Sequence, residues 1–115
     1  MQTILTDLNG TCENIQASAL ISTDGLVIAE ALPQNMDEDT LGAISAALHS
    51  VGTRGIEELA DGVLEYILVK SSENYILMTH VGKEVILTVI LKSQAELDFV
   101  MSNIRYAIEK IMAHI

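Results

Sequence analysis

Three apolar segments, residues 64–70, 75–81 and 85–91, follow one another with only Ser71-Ser72-Glu73-Asn74 and Gly82-Lys83-Glu84 between them. Connections this short allow no crossover, so the segments must be antiparallel neighbours in a sheet. Their patterning constrains the fold further. In the last segment Val85, Leu87, Val89 and Leu91 point to one side, and Ile86 and Ile90 to the other. A sheet that is apolar on both faces needs a cover on both faces. Helices must therefore flank these strands on each side.

The remaining segments supply the cover and two more strands. Ile4, Leu5, Leu8 and Cys12 recur at helical spacing and predict a short helix over residues 2–14. Thr23-Asp24-Gly25 lies between the apolar runs Ala19-Leu20-Ile21 and Leu26-Val27-Ile28. A tight turn there needs a positive φ that glycine tolerates, so the pattern predicts a hairpin with strands at 17–22 and 26–31. A loop containing Pro33 leads to a long helix over 38–61, with Asp37 or Asp39 as cap and Asp61-Gly62 as its end. Such a helix spans ~35 Å, which is long for a small domain. Ser93-Gln94-Ala95-Glu96 reads as a capping box opening a last helix that runs to the C-terminus. Its apolar stripe is Leu97, Val100, Met101, Ile104, Ala107, Ile108, Ile111, Met112 and Ile115. The order is α-β-β-α-β-β-β-α. The expected architecture is α+β, a five-stranded antiparallel sheet sandwiched between helices, with residues 1–115 as a single domain.

Composition narrows the function. Half the residues are hydrophobic, but only Tyr66, Tyr75, Phe99 and Tyr106 are aromatic, so the core must be aliphatic. The single Cys12 rules out an internal disulfide and fits a reducing compartment. The net charge is −10, and residues 1–65 hold all of it, with Arg54 their only base. An acidic chain without a basic stripe is not expected to bind nucleic acid or to dock on anionic lipid by itself. Residues 1–12 lack the cationic start of a signal peptide, and the longest apolar run, 85–91, is far too short for direct membrane insertion. The expected location is the cytoplasm.

The long helix is unusual. On a helical wheel Leu41, Ile44, Leu48, Val51 and Leu59, with Gly55 among them, share one side, which is expected to pack on the sheet. The other side carries Gly42, Ala46, His49, Thr53 and Ala60, and residues 40–53 include no Asp, Glu, Lys or Arg. A solvated helix face normally carries charge. Gly42 and Gly52 each cost ~1 kcal/mol of helix propensity relative to alanine, so close packing should compensate. One reading is a partly buried surface helix with a run of small residues. The reading adopted as the expectation is a homodimer interface through Gly42, Ala46, His49, Thr53 and Ala60, two helices crossing at a two-fold axis.

Searches for catalytic machinery return none. Gly82-Lys83 is followed by Glu84 and lacks the upstream glycine of a P-loop. No nucleophile elbow, paired cysteines or paired histidines at metal-ligand spacing occur. Asp37-Glu38-Asp39 lacks the glycine and terminal glutamate of a calcium loop and reads as a helix N-terminus. His49, His80 and Cys12 fall on separate elements and read as structural residues, and Arg54 reads as a solvated arginine rather than a finger offered to a nucleotidase. No catalytic residue, cofactor or metal is expected.

The element order and several stretches resemble the roadblock/dynein light-chain domain. A leucine-bearing first helix leads into Ala19-Leu20-Ile21-Ser22-Thr23-Asp24-Gly25-Leu26-Val27-Ile28-Ala29, similar to that family's opening hairpin. The Ala- and Gly-rich helix from Leu41 to Leu59 follows at the right distance, then Glu65-Tyr66-Ile67-Leu68-Val69, a second hairpin and a closing helix. The resemblance implies a roadblock/profilin-like fold and a non-enzymatic regulator or scaffold. It implies homo- or heterodimers that pair the long helix and an edge strand. The MglB-like branch implies a further partner, a small Ras-like GTPase whose hydrolysis two subunits stimulate without inserting an arginine. The alternatives are a structural subunit of a motor or membrane-associated complex and, from another class, a small enzyme or ligand-binding domain. Against the last stands the scarcity of polar side chains in the central strands, where only Thr79, His80 and Thr88 are polar.

Overall fold

The computed structural model describes residues 1–114. Its elements are α1 (Gln2–Gly10), β1 (Ile15–Ser22), β2 (Val27–Ala31), α2 (Glu38–Leu59), β3 (Tyr66–Lys70), β4 (Asn74–Val81), β5 (Val85–Lys92) and α3 (Leu97–Met112). The five strands form one antiparallel sheet in the order β2-β1-β5-β4-β3. β5 lies at the middle between β1 and β4, and β2 and β3 are the edges. The expected α+β sandwich and element order are those observed.

One face carries the main core. Leu5 and Leu8 of α1 and Val100, Ile104, Ala107 and Ile111 of α3 pack on Leu20, Leu77, Leu87, Val89 and Leu91 of the sheet. Each such aliphatic side chain contributes ~1.5–3 kcal/mol by leaving water. A polar clasp fixes α1: the Ser18 hydroxyl donates to Asn9 Oδ1 at 2.7 Å, and Asn9 Nδ2 donates to the Ala31 carbonyl at 2.9 Å. The other face is crossed by α2, where only Ala19, Ile21 and Leu41 form a buried cluster, flanked by Val27, Leu32, Met36 and Ile90.

Several boundaries differ from expectation. α1 stops at Gly10, not residue 14, because the Thr11 amide already bonds back to the Leu8 carbonyl and the chain turns through Cys12 into β1. α2 ends at Leu59 with Ala60 extended, so Gly62 (φ +94°) serves the following loop rather than the helix end. The capping box does not form. α3 begins at Leu97 with Glu96 as N-cap and no side-chain capping bond, while the Ala95 amide closes a turn on the Lys92 carbonyl. Met112 of the predicted stripe is exposed, and Ile115 lies outside the described residues.

Candidate interaction surface

The long helix organises the surface opposite the main core. Asp37 caps it: one carboxylate oxygen accepts from the Thr40 hydroxyl and from the Thr40 amide at 3.3 Å. These bonds, the hydroxyl's first, hold the Asp37 carboxyl below its usual range. Glu38 and Asp39 in the first turn complement the positive end of the helix.

The side of α2 that meets the sheet is built from small and polar residues. Gly25 sits in the β1–β2 turn at φ +96°, and Gly42 lies directly against it. A Cβ on Gly42 would stand 2.3 Å from the Gly25 carbonyl oxygen, so only glycine lets the two backbones approach this closely. Ala46 touches the same turn. One turn on, the Ser45 and Thr88 hydroxyls share a buried hydrogen bond at 2.9 Å. Next, His49 of α2 and His80 of β4 meet with Nε2 atoms 3.2 Å apart and rings nearly edge to face, centroids 4.7 Å apart. Burial, and then the neighbouring His80, push the His49 imidazole below its ordinary basicity. Gly52 closes the row against Ile67 and Leu64.

The opposite side of α2 is apolar and open. Ile44 (49% exposed), Val51 (71%) and Leu59 (89%) face outward, with Leu48 half-buried beside them. At the end of this helix the chain passes through the exposed Val63 into β3, an edge strand paired only to β4. Tyr66, Leu68 and Val69 of β3 are exposed as well. An unpaired edge next to an exposed apolar helix is a surface that natural proteins normally cover.

This geometry exchanges the two sides assigned from the wheel. Of the five residues expected on the sheet only Leu41 is buried there. Of those expected in a dimer seam, Gly42, Ala46 and His49 are turned to their own sheet and hairpin, Thr53 is half-buried, and Ala60 is exposed beyond the last helical turn. The wheel failed because it ranked faces by hydrophobicity, whereas close approach of helix to sheet selects small side chains. Arg54 is solvent-exposed and pairs with Glu58 at 3.3 Å, an i,i+4 contact worth little by itself. Cys12 is half-buried beside the main core, on the far side of the sheet from the histidines. The meeting of His49 with His80 was missed in the sequence. Parity could have found it, since His80 shares a strand face with Met78 and Ile76, and Ser45, His49 and Gly52 recur at helical spacing. Among the described residues no group of three or more His, Cys, Asp or Glu could hold a metal ion, and no helix is long and apolar enough to cross a membrane.

The domain is a five-stranded sheet with two helices behind it and one long helix in front whose outer side carries exposed Ile44, Val51 and Leu59. Comparison with known proteins gives the class a name: residues 1–91 match the Roadblock/LC7 domain, and the chain belongs to that family. It is 34% identical over 110 residues to the uncharacterized protein MJ1340 of Methanocaldococcus jannaschii, covering 96% of this chain and 95% of that one. The structure is similar to a Roadblock/LC7 domain from Streptomyces avermitilis (TM-score 0.94, 16% identity, 99% and 96% of the two chains). It is also similar to Myxococcus xanthus MglB (TM-score 0.90, 19% identity, 97% and 91%). At these identities the two structures show the shared fold.

Proposed function

We propose that this chain is a dimeric regulatory module whose dimer docks a small Ras-like GTPase in the cytoplasm. Its Roadblock/LC7 membership supports a regulatory or scaffold role in general. The GTPase reading draws on the fold shared with MglB and on the family resemblance. The observation that carries the dimer is the apolar outer side of α2, Ile44, Leu48 and Val51, next to the unpaired edge of β3. Two copies related by a two-fold axis would bury these helices against each other and continue the sheet from one β3 to the next. The proposed seam therefore runs along the outer side of α2, not along Gly42, Ala46 and His49.

The test is light-scattering mass of the purified chain, alone and with a candidate Ras-like GTPase loaded with a GTP analogue. A dimer that forms a nucleotide-dependent complex supports the proposal. A dimer that ignores the GTPase favours the purely structural subunit. A monomer at tens of micromolar overturns both. Where hydrolysis is stimulated, Arg54→Ala should leave the stimulation unchanged, as the family resemblance implies stimulation without an inserted arginine. A loss would restore the arginine finger.

A further inference from the structure

α2 is held on the sheet by few apolar contacts and by two polar ones, Ser45 with Thr88 and His49 with His80. The second pair has a property the first lacks. A ring-to-ring hydrogen bond needs one Nε2 to donate and the other to accept. Two neutral rings satisfy it, and so does a pair that shares one added proton. Two protonated rings cannot, because both nitrogens then donate and two positive charges face each other at 3.2 Å.

We propose that His49 and His80 form a proton-counting latch that keeps α2 seated on the sheet while the pair carries at most one added proton and frees the helix when it takes a second. This rests on the reading of α2 as the dimer helix, whose assembly the latch would then make sensitive to mild acid. The surroundings favour such a device. The pair borders a small cleft lined by Leu64, Tyr66, Ile67, Met78, Thr79 and Ile86, with no carboxylate to neutralise a second charge. The ionisable groups near His49 on its own helix are Arg54, Glu57 and Glu58, which share an open groove with it and with Thr23 of the β1–β2 turn. From β3 comes Tyr66, and from β5 only Ile86. Burial, and then the neighbouring His80, lower the basicity of His49. His114, which lies on the exposed C-terminal turn with Nδ1 2.8 Å from the Lys110 carbonyl, is a control within the same chain.

Hydrogen exchange of the full chain at pH 7.5 and pH 5.5, corrected for intrinsic rates and run with EDTA so that no stray metal bridges the rings, tests the latch. Amides of residues 45–56 should exchange ~tenfold faster at the lower pH through local opening of the helix, while α1 and α3 stay protected. His49→Gln and His80→Gln should each flatten that difference. Equal protection of α2 at both pH values, or the same acid response in both variants, overturns the proposal. If a variant does not fold, the wild-type ring protons decide. Two separated titrations for the pair support the latch, with His114 followed in the same spectra as a reference, and two coincident ones overturn it. Mass measured on the same samples separates this from the dimer reading. A chain that is monomeric at both pH values while α2 loosens sinks the dimer and keeps the latch. A chain that stays dimeric with α2 firm sinks the latch and keeps the dimer.

Discussion

Under α1 and α3 the sheet is sealed by interlocking leucine, isoleucine and valine, with Leu5, Leu20, Leu87, Leu91, Ile104 and Ile111 all fully buried. Under α2 the contact is made largely by glycine, serine, alanine and histidine with Leu41, while Ile44, Val51 and Leu59 of that helix point away. The contrast separates two jobs. One face supplies the stability of the domain. The other trades apolar burial for a close, polar seat and leaves its apolar side exposed, the side proposed above as the dimer seam. Substitutions that respect this division should sort by face rather than by residue type.

The largest effect belongs to the sealed face. Leu87→Ala or Ile104→Ala removes a fully buried side chain from a packed aliphatic core and should cost about 2–5 kcal/mol, read as a lower midpoint in urea unfolding. A loss below ~1 kcal/mol would mean that this face is not the main core. On the α2 face the same size of effect needs the opposite change, an addition. Gly42→Ala gains ~1 kcal/mol of helix propensity, yet its new Cβ meets the Gly25 carbonyl. The clash should outweigh the gain and leave the variant about 1–3 kcal/mol less stable, the usual toll of overpacking. A stabilised variant would show that the helix can lift off without penalty.

The polar seat gives the next smaller effects. Ser45→Ala leaves the buried Thr88 hydroxyl without its partner and should cost about 1–3 kcal/mol. The double change Ser45→Ala with Thr88→Val should recover part of that, because no polar atom is then orphaned. Failure to recover would show that shape, not hydrogen bonding, sets the cost. The His49 imidazole has its basicity lowered, by burial first. The unfolded chain therefore takes up this proton before the folded one. Its contribution to stability is complete above the ordinary value of 6.5 and fades as the pH falls from there through the lower folded value. Urea midpoints compared at pH 7.5 and 5.5 should fall for the native chain more than for His49→Gln.

Most of the fold was legible because two periodicities dominate it. The apolar segments with three- and four-residue turns forced an antiparallel sheet, and their two-sided hydrophobicity forced helices onto both faces. The hairpin at Asp24-Gly25 was readable from the backbone freedom its turn requires. Local hydrogen bonding was less legible, so Ser93 and Glu96 suggested a box that the Ala95 turn prevents from forming. The interaction surface was legible only in part. The absence of charge over residues 40–53 correctly marked the helix as unusual, but a wheel has no means of knowing which side the sheet takes. The answer lay in a pair of residues far apart in sequence, Gly25 and Gly42, whose mutual approach decides the rotation of the helix. The same holds for His49 and His80, which belong together only once β4 and α2 are stacked.

The smallest effect on stability should come from a residue at the centre of the proposed seam. Val51 is largely exposed on the outer side of α2, so Val51→Glu in an isolated domain should change the unfolding free energy by no more than ~0.5 kcal/mol. In a dimer built on that side the same change places two carboxylates near the two-fold axis without solvent to screen them, and the mass should fall to that of a monomer. Ala46→Glu makes the complementary point. It lies on the seat against Gly25, so it should destabilise the fold itself rather than divide a stable dimer. If Val51→Glu stays dimeric while Ala46→Glu yields folded monomers, the two sides of α2 have been assigned the wrong way round, and the small-residue side is the seam after all.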